Sequence, residues 1–171
     1  MSELSKLFER AKEKIVEMGL PIIEEERTKL PLYVSVREFP IRYIIGISRI
    51  MRFFEGLREG KIYAVRCTKC GETFFPPRAD CTSCLTSEME WFPLSGEGEL
   101  LTYTVIYIKP LSFTHYKDYI VGIAQLKEGI KVLAWVNVES HEKLKPGMRV
   151  RLTTAIRKPE GLITYELIPS P

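Results

Sequence analysis

Apolar residues near the start of the chain recur at helical spacing. Leu4, Leu7, Phe8, Ala11, Ile15 and Met18 fall three or four positions apart, which places them on one face of a helix. Gly19-Leu20-Pro21 then stops it, because glycine accepts the left-handed cap and proline cannot continue the ladder. The charged run Glu24–Lys29 reads as a solvated connector, and Leu32–Phe39 as a short strand or extended arm. Proline at 31 and 40 argues against a central strand there. Ile47, Ile50, Met51, Phe54 and Leu57 predict a second helix ending at Gly60, followed by a strand-like stretch over Lys61–Arg66.

From Gly96 onward the pattern is β throughout. Five strands are expected, over about 99–108, 120–126, 131–138, 149–156 and 162–168, rich in threonine, valine, tyrosine and isoleucine. Glu128-Gly129 marks a tight hairpin, and Lys145-Pro146-Gly147 a turn into the fourth strand. Five short antiparallel strands in so little chain suit a small closed barrel, of which the OB-fold is the commonest, with an open sandwich as the alternative. The fold class is mainly β with N-terminal helices.

Between the second helix and the barrel lie all four cysteines, as Cys67-x₂-Cys70 and Cys81-x₂-Cys84 separated by ten residues. Two residues between cysteines let both thiolates of a turn face one ion, and Gly71 permits the positive backbone angle such a knuckle uses. The ten residues suffice for a hairpin that brings the second knuckle opposite the first. Four thiolates in tetrahedral array suit a structural Zn²⁺, with no position left for substrate. Iron can use the same ligands; nothing else in the sequence hints at electron transfer.

Composition adds bounds. The chain has 171 residues, 45% of them apolar and 27% charged, ordinary values for a globular protein. Its net charge of +3 is too small to argue for polyanion binding. No apolar run reaches the roughly 18–20 residues that cross a bilayer, and Met1–Lys6 carries no signal-peptide core, so a cytoplasmic protein without a membrane partner is expected. Cysteines in a reducing cytosol favour metal over disulfides. His115 and His141 lie in expected loops as solvated residues, and no phosphate-binding loop, metalloprotease helix or serine-hydrolase elbow is present. The chain is not expected to be an enzyme.

The order of motifs is similar to a known family. Phe53-Phe54-Glu55-Gly56-Leu57-Arg58 precedes Arg66-Cys67-Thr68-Lys69-Cys70-Gly71, followed by Pro76-Pro77-Arg78, Cys81-Thr82-Ser83-Cys84, Glu90-Trp91, Ser95-Gly96-Glu97-Gly98 and Leu101-Thr102-Tyr103-Thr104-Val105. Over about residues 48–170 this resembles the acyl-CoA-associated family that joins a rubredoxin-like zinc ribbon to an OB-fold, long catalogued as a domain of unknown function. The resemblance implies a division into 1–60 (helical segment and connector), 61–95 (zinc ribbon) and 96–171 (five-stranded OB-fold barrel). It implies a non-catalytic accessory subunit that binds acyl-CoA and scaffolds a thiolase-like or hydroxymethylglutaryl-CoA-synthase-like enzyme. Structural zinc on Cys67, Cys70, Cys81 and Cys84 is implied, with a CoA thioester as ligand. The sequence departs from the family at Leu85, where glycine is common after the second knuckle, and in a longer N-terminal part, whose apolar helix stripe is expected to dock on the chain's own body or else on a partner or second subunit.

CoA presents phosphates, an adenine and an amide-bearing arm, so cations and aromatic faces are its expected contacts. Arg66, Lys69, Arg78 and Phe75 are the expected binding residues, with Arg49, Arg52, Tyr63 and Phe74 as further candidates and Arg78 foremost on its Pro-Pro loop. A rival reading is a single-stranded nucleic-acid-binding module using Tyr103, Tyr107 and Phe113 as stacking platforms. Against it, cations are not interleaved with aromatics in the barrel half.

Overall fold

The computed structural model describes residues 3–35 and 43–171. They form two compact units, divided between Ile45 and Gly46. Among the described residues no helix is long and apolar enough to cross a membrane.

In the first unit, helix α1 (Glu3–Met18) ends as expected at Gly19, whose φ is +76° and whose amide reaches the Ile15 carbonyl. A hairpin follows, β1 (Ile22–Glu24) paired antiparallel with β2 (Pro31–Tyr33). The charged run expected to be a connector is thus the hairpin's turn, closed by Glu25 N–H to Leu30 O and Lys29 N–H to Glu25 O. A two-stranded sheet has only edges, which is why Pro31 is tolerated in β2. The rest of the expected arm, 36–39, lies outside the described residues. Arg10 holds the turn to α1 through Glu26 Oε1 at 2.9 Å and the Glu24 carbonyl. Of the stripe expected on α1 only Ala11 is fully buried, and Leu4, Ile15 and Met18 are exposed.

The second unit opens with a 3₁₀ turn (Ser48–Ile50) and helix α2 (Met51–Arg58). Its buried face is Phe53, Gly56 and Leu57, whereas Met51 and Phe54 are exposed. The periodicity points to Phe54; in the structure Phe53, Gly56 and Leu57 form the inward row, and Phe53 and Leu57 pack in the barrel core. Strands β3 (Tyr63–Cys67), β4 (Thr73–Phe74) and β5 (Met89–Pro93) form an antiparallel sheet ordered β4-β3-β5.

The barrel consists of β6 (Glu97–Ile106), β7 (Tyr119–Leu126), β8 (Lys131–Val136), β9 (Arg149–Arg157) and β10 (Leu162–Pro169), closed in the order β10-β8-β7-β6-β9. Each lies within a few residues of its expected position. The pairing is not wholly antiparallel: β10 runs parallel to β8, with Glu166 opposite Trp135. Five strands around a ring cannot alternate in direction without a mismatch, so one parallel pair is the least that closure permits. A bulge at Leu101 bends β6 so that it reaches both β7 and β9. Gly96 makes the sharp entry into β6 at φ +77°, and a Cβ there would lie 2.4 Å from the Leu152 carbonyl.

Alternate residues of β7 and β8 (Ile120, Ala124, Leu126, Val132, Ala134, Val136) point inward with Leu100, Val150, Leu152 and Leu167. Phe53, Leu57, Ile62 and Ala64 belong to the same core, so α2 and the first ribbon strand are packed on the barrel. Phe53→Ala is expected to cost about 3–5 kcal/mol, and Phe54→Ala, whose ring is 38% exposed, less than about half as much. Urea midpoints of the two variants measure this.

Candidate metal centre and the ribbon–barrel junction

The two knuckles are built alike. In the first, Cys67 N–H reaches Glu72 O and Gly71 N–H returns to Cys67 O; in the second, Cys81 N–H reaches Thr86 O and Leu85 N–H returns to Cys81 O. The equivalence extends to the left-handed residue, Gly71 at φ +78° and Leu85 at φ +56°. Leu85 therefore adopts the glycine conformation despite its Cβ. Its side chain is 84% exposed, so it gains little from burial there.

The turns bring the four sulfurs together, all within 4.8 Å of one another. Cys67 Sγ lies 3.4 Å from Cys84 Sγ, and Cys70 Sγ 3.6 Å from Cys81 Sγ. Disulfide sulfurs sit about 2.05 Å apart; a tetrahedron with metal–sulfur bonds of about 2.3 Å spaces its sulfurs about 3.8 Å apart. The donor set thus fits one tetrahedral ion. Backbone amides support it, as Cys70 N–H points at Cys67 Sγ at 3.4 Å. That amide, with the one from Lys69, outweighs burial and brings Cys67 down to about 6, while desolvation and the neighbouring Cys67 push Cys84 up to about 12. One thiol is therefore nearly ready to ligate at neutral pH and another must be deprotonated by the ion. Ser83 donates to the Glu72 carboxylate and so ties the knuckles together.

The cations around this ribbon mostly have structural partners. Arg49 grips Asp80 with two hydrogen bonds (2.9 and 3.1 Å) and the Ala79 carbonyl with a third, fastening the approach to Cys81 to the lead-in of α2. Ser87 and Arg49 together hold the Asp80 carboxyl below its usual range. Arg52 lies over Tyr63 and beside Trp91, and Arg66 over Phe92. Phe75 wedges between Phe53 and Tyr165, with ring centroids 6.0 and 5.1 Å away, at the seam of ribbon and barrel. Of the four expected ligand-binding residues, Arg78 and Phe75 line one cleft, together with Phe74 from β4 and Lys131 from β8; Arg66 and Lys69 are not among its walls. Lys131 was not singled out from sequence. It is the first residue after a hairpin turn, and only barrel closure places it opposite the ribbon.

Tyr103 and Phe113, two of the three expected stacking platforms, are engaged within the fold. Tyr103 is packed against the core with its hydroxyl on the Leu144 carbonyl, and Phe113 joins Tyr116, Tyr119 and Trp135. Tyr119 and Trp135 stack on each other at 4.1 Å, and Arg157 covers Trp135 at 3.7 Å. Tyr107 remains 61% exposed. His115, expected to be a solvated loop residue, sits 2.7 Å from Glu160 and so links the β6–β7 and β9–β10 loops.

A four-cysteine ribbon packed on a five-stranded closed barrel defines the class: a zinc-ribbon/OB-fold protein. Comparison with known families agrees. Residues 54–90 match the rubredoxin-like zinc ribbon domain of ChsH2, and residues 91–155 its C-terminal OB-fold domain. A DUF35 domain-containing scaffold protein of Methanocaldococcus jannaschii is 30% identical over 130 residues, 73% of this chain and 92% of that one. The benzoylsuccinyl-CoA thiolase subunit BbsA of Thauera aromatica is 33% identical over 69 residues, 40% of this chain and 46% of that one. Among solved structures, a chain of the Ltp2-ChsH2(DUF35) aldolase superposes with a TM-score of 0.61 at 22% identity, covering 75% of this chain and 98% of that one. The chain belongs to this DUF35 family of linked zinc ribbons and OB-folds.

Two outcomes follow from the knuckles. Leu85→Gly is expected to raise stability by up to about 1 kcal/mol by relieving the left-handed strain, with metal content unchanged, as read from melting curves and metal analysis. Zinc affinity is expected to fall as pH falls, because protons compete for the sulfurs, with one further proton competing per metal below about 6, where Cys67 becomes protonated. Competition titrations against a chromophoric chelator across that range measure the slope.

Proposed function

We propose that this protein is a non-catalytic, zinc-braced accessory subunit that scaffolds a thiolase-type or hydroxymethylglutaryl-CoA-synthase-type enzyme and binds its CoA thioester. The observation that carries the reading is the closed set of four cysteine sulfurs. Once an ion takes all four it has no position for water or substrate, and every thiol that could act as a nucleophile is used. The metal on Cys67, Cys70, Cys81 and Cys84 is then a fold-holding Zn²⁺. Relatives named as scaffold proteins, and one named as a thiolase subunit, support the accessory role. The rival nucleic-acid reading is weakened by the covered faces of Trp135 and Tyr119.

Division of labour follows. The partner supplies the nucleophile and the acid–base groups, and this chain supplies shape and a share of the ligand contacts. Residues 1–45, with Leu4, Val16, Leu20, Leu30 and Tyr33 exposed on α1 and its hairpin, provide apolar surface for a protein neighbour, either the enzyme or a second copy.

Coexpression with the thiolase and synthase of its source organism, followed by size-exclusion chromatography, tests the reading. The expected outcome is coelution in fixed stoichiometry, lost in Cys67→Ser, with no thioester turnover by the chain alone. Turnover by the isolated chain, or salt-sensitive binding to a single-stranded oligonucleotide without enzyme association, contradicts it.

A further inference from the structure

A cleft of about 330 Å³ opens where the ribbon meets the β7–β8 turn. Thr73, Phe74 and Arg78 form its ribbon wall; Gly129, Ile130 and Lys131 form its barrel wall. That size lies at the low end of small-ligand pockets, roughly 300–1,000 Å³, so it accommodates a headgroup better than a whole nucleotide thioester.

Its charge is one-sided. Arg78 and Lys131 approach from opposite walls, and neither enters an ion pair among the described residues. Lys61, Lys109 and Lys127 by contrast are paired with Glu59, Asp118 and Glu97. Arg78 lies over the Phe74 ring at 5.3 Å. Stacking occupies the face of the guanidinium and leaves its in-plane N–H edge free to donate. No carboxylate lines the cleft. Two carboxylates adjoin its walls in sequence: Glu72 accepts from the Ser83 hydroxyl, and Glu128 accepts the Ser95 amide at 2.6 Å through Oε1, its Oε2 being buried without a hydrogen-bond partner. The Thr73 hydroxyl adds a neutral donor on the ribbon wall.

We infer that this cleft is an anion site that takes a phosphate monoester or diphosphate, with Arg78 as the directional donor and Lys131 as the point charge. Arginine matches phosphate oxygens two at a time, while lysine supplies charge without fixed geometry. The ligand is bound across two substructures, one braced by the ribbon's sulfurs and one by barrel closure. The identity of the phosphate's carrier rests on the proposed function: if that reading holds, the phosphate is one of those on CoA; otherwise the cleft takes a free phosphate.

Calorimetric titration of the full-length, metal-loaded chain tests the inference, with CoA, dephospho-CoA, adenosine 3′,5′-bisphosphate, pantetheine and inorganic phosphate as separate probes. Phosphate-bearing probes are expected to bind and pantetheine not to. Arg78→Ala and Lys131→Ala are each expected to weaken binding about 10-fold or more, the scale of a lost charge-assisted contact. Unaltered metal content and melting temperature certify that the variants are folded. CoA binding at least tenfold tighter than inorganic phosphate assigns the site to CoA; equal affinities assign it to free phosphate. Folded variants that bind phosphate probes as well as the parent, or a parent that binds none of them, overturn the inference. Enzyme coelution is scored on the parent chain: a parent that coelutes but binds no phosphate probe removes the cleft and leaves the scaffold reading, and a parent that binds phosphate but does not coelute removes the scaffold reading and leaves the cleft.

Discussion

The convergence of four sulfurs is the constraint on which the ribbon depends. Its own buried cluster is Val65, Phe74, Cys67 and Cys81, so half of it consists of cysteines of the four-sulfur set. Apolar burial on that scale cannot offset the entropy of ordering two knuckles and a three-stranded sheet, which is why domains this small recruit metals or disulfides. Sulfurs more than 3 Å apart exclude a disulfide in this geometry. An ion held by the four sulfurs would supply the missing free energy, since ligand binding and folding would then be one equilibrium.

That local constraint reaches the barrel through a continuous apolar seam. Ile62 and Ala64 lead into Cys67 along β3 yet belong to the barrel's core. Phe53 of α2, Phe75 of the ribbon loop and Tyr165 of β10 meet edge to face, with centroids 5.1–6.2 Å apart. Arg49 closes the other side by gripping Asp80, one residue before Cys81. The four-cysteine cluster is therefore braced from α2 and from the barrel, and Phe75 of the same seam also lines the Arg78–Lys131 cleft.

Much of this architecture was legible in the sequence because the strands from Gly96 onward carry their own turn chemistry. Glu128-Gly129 and Lys145-Pro146-Gly147 fix the hairpins locally, and the four cysteines announce their geometry by spacing alone. What the sequence did not disclose depends on long-range packing. Phe53 rather than Phe54 faces inward, a choice made by the barrel core it packs into. β5 went unrecognised because Met89–Pro93, bounded by a proline, lacks clean alternation and becomes a strand only beside β3. β1 went unrecognised because three residues carry too little pattern. The parallel β8–β10 contact follows from closure and from no local signal. Cations were identifiable by type, but their partners were not: Arg49 is engaged by an aspartate and Arg52 and Arg66 by aromatic rings, and Arg78, also over a ring, lines a cavity that Lys131 shares.

X-ray absorption at the zinc edge, on protein purified without added metal, tests the account most directly. It predicts one zinc per chain with four sulfur ligands at about 2.3 Å and no lighter scatterer in the first shell. A nitrogen or oxygen ligand on the zinc, an iron-loaded site, or a folded ribbon without metal contradicts it.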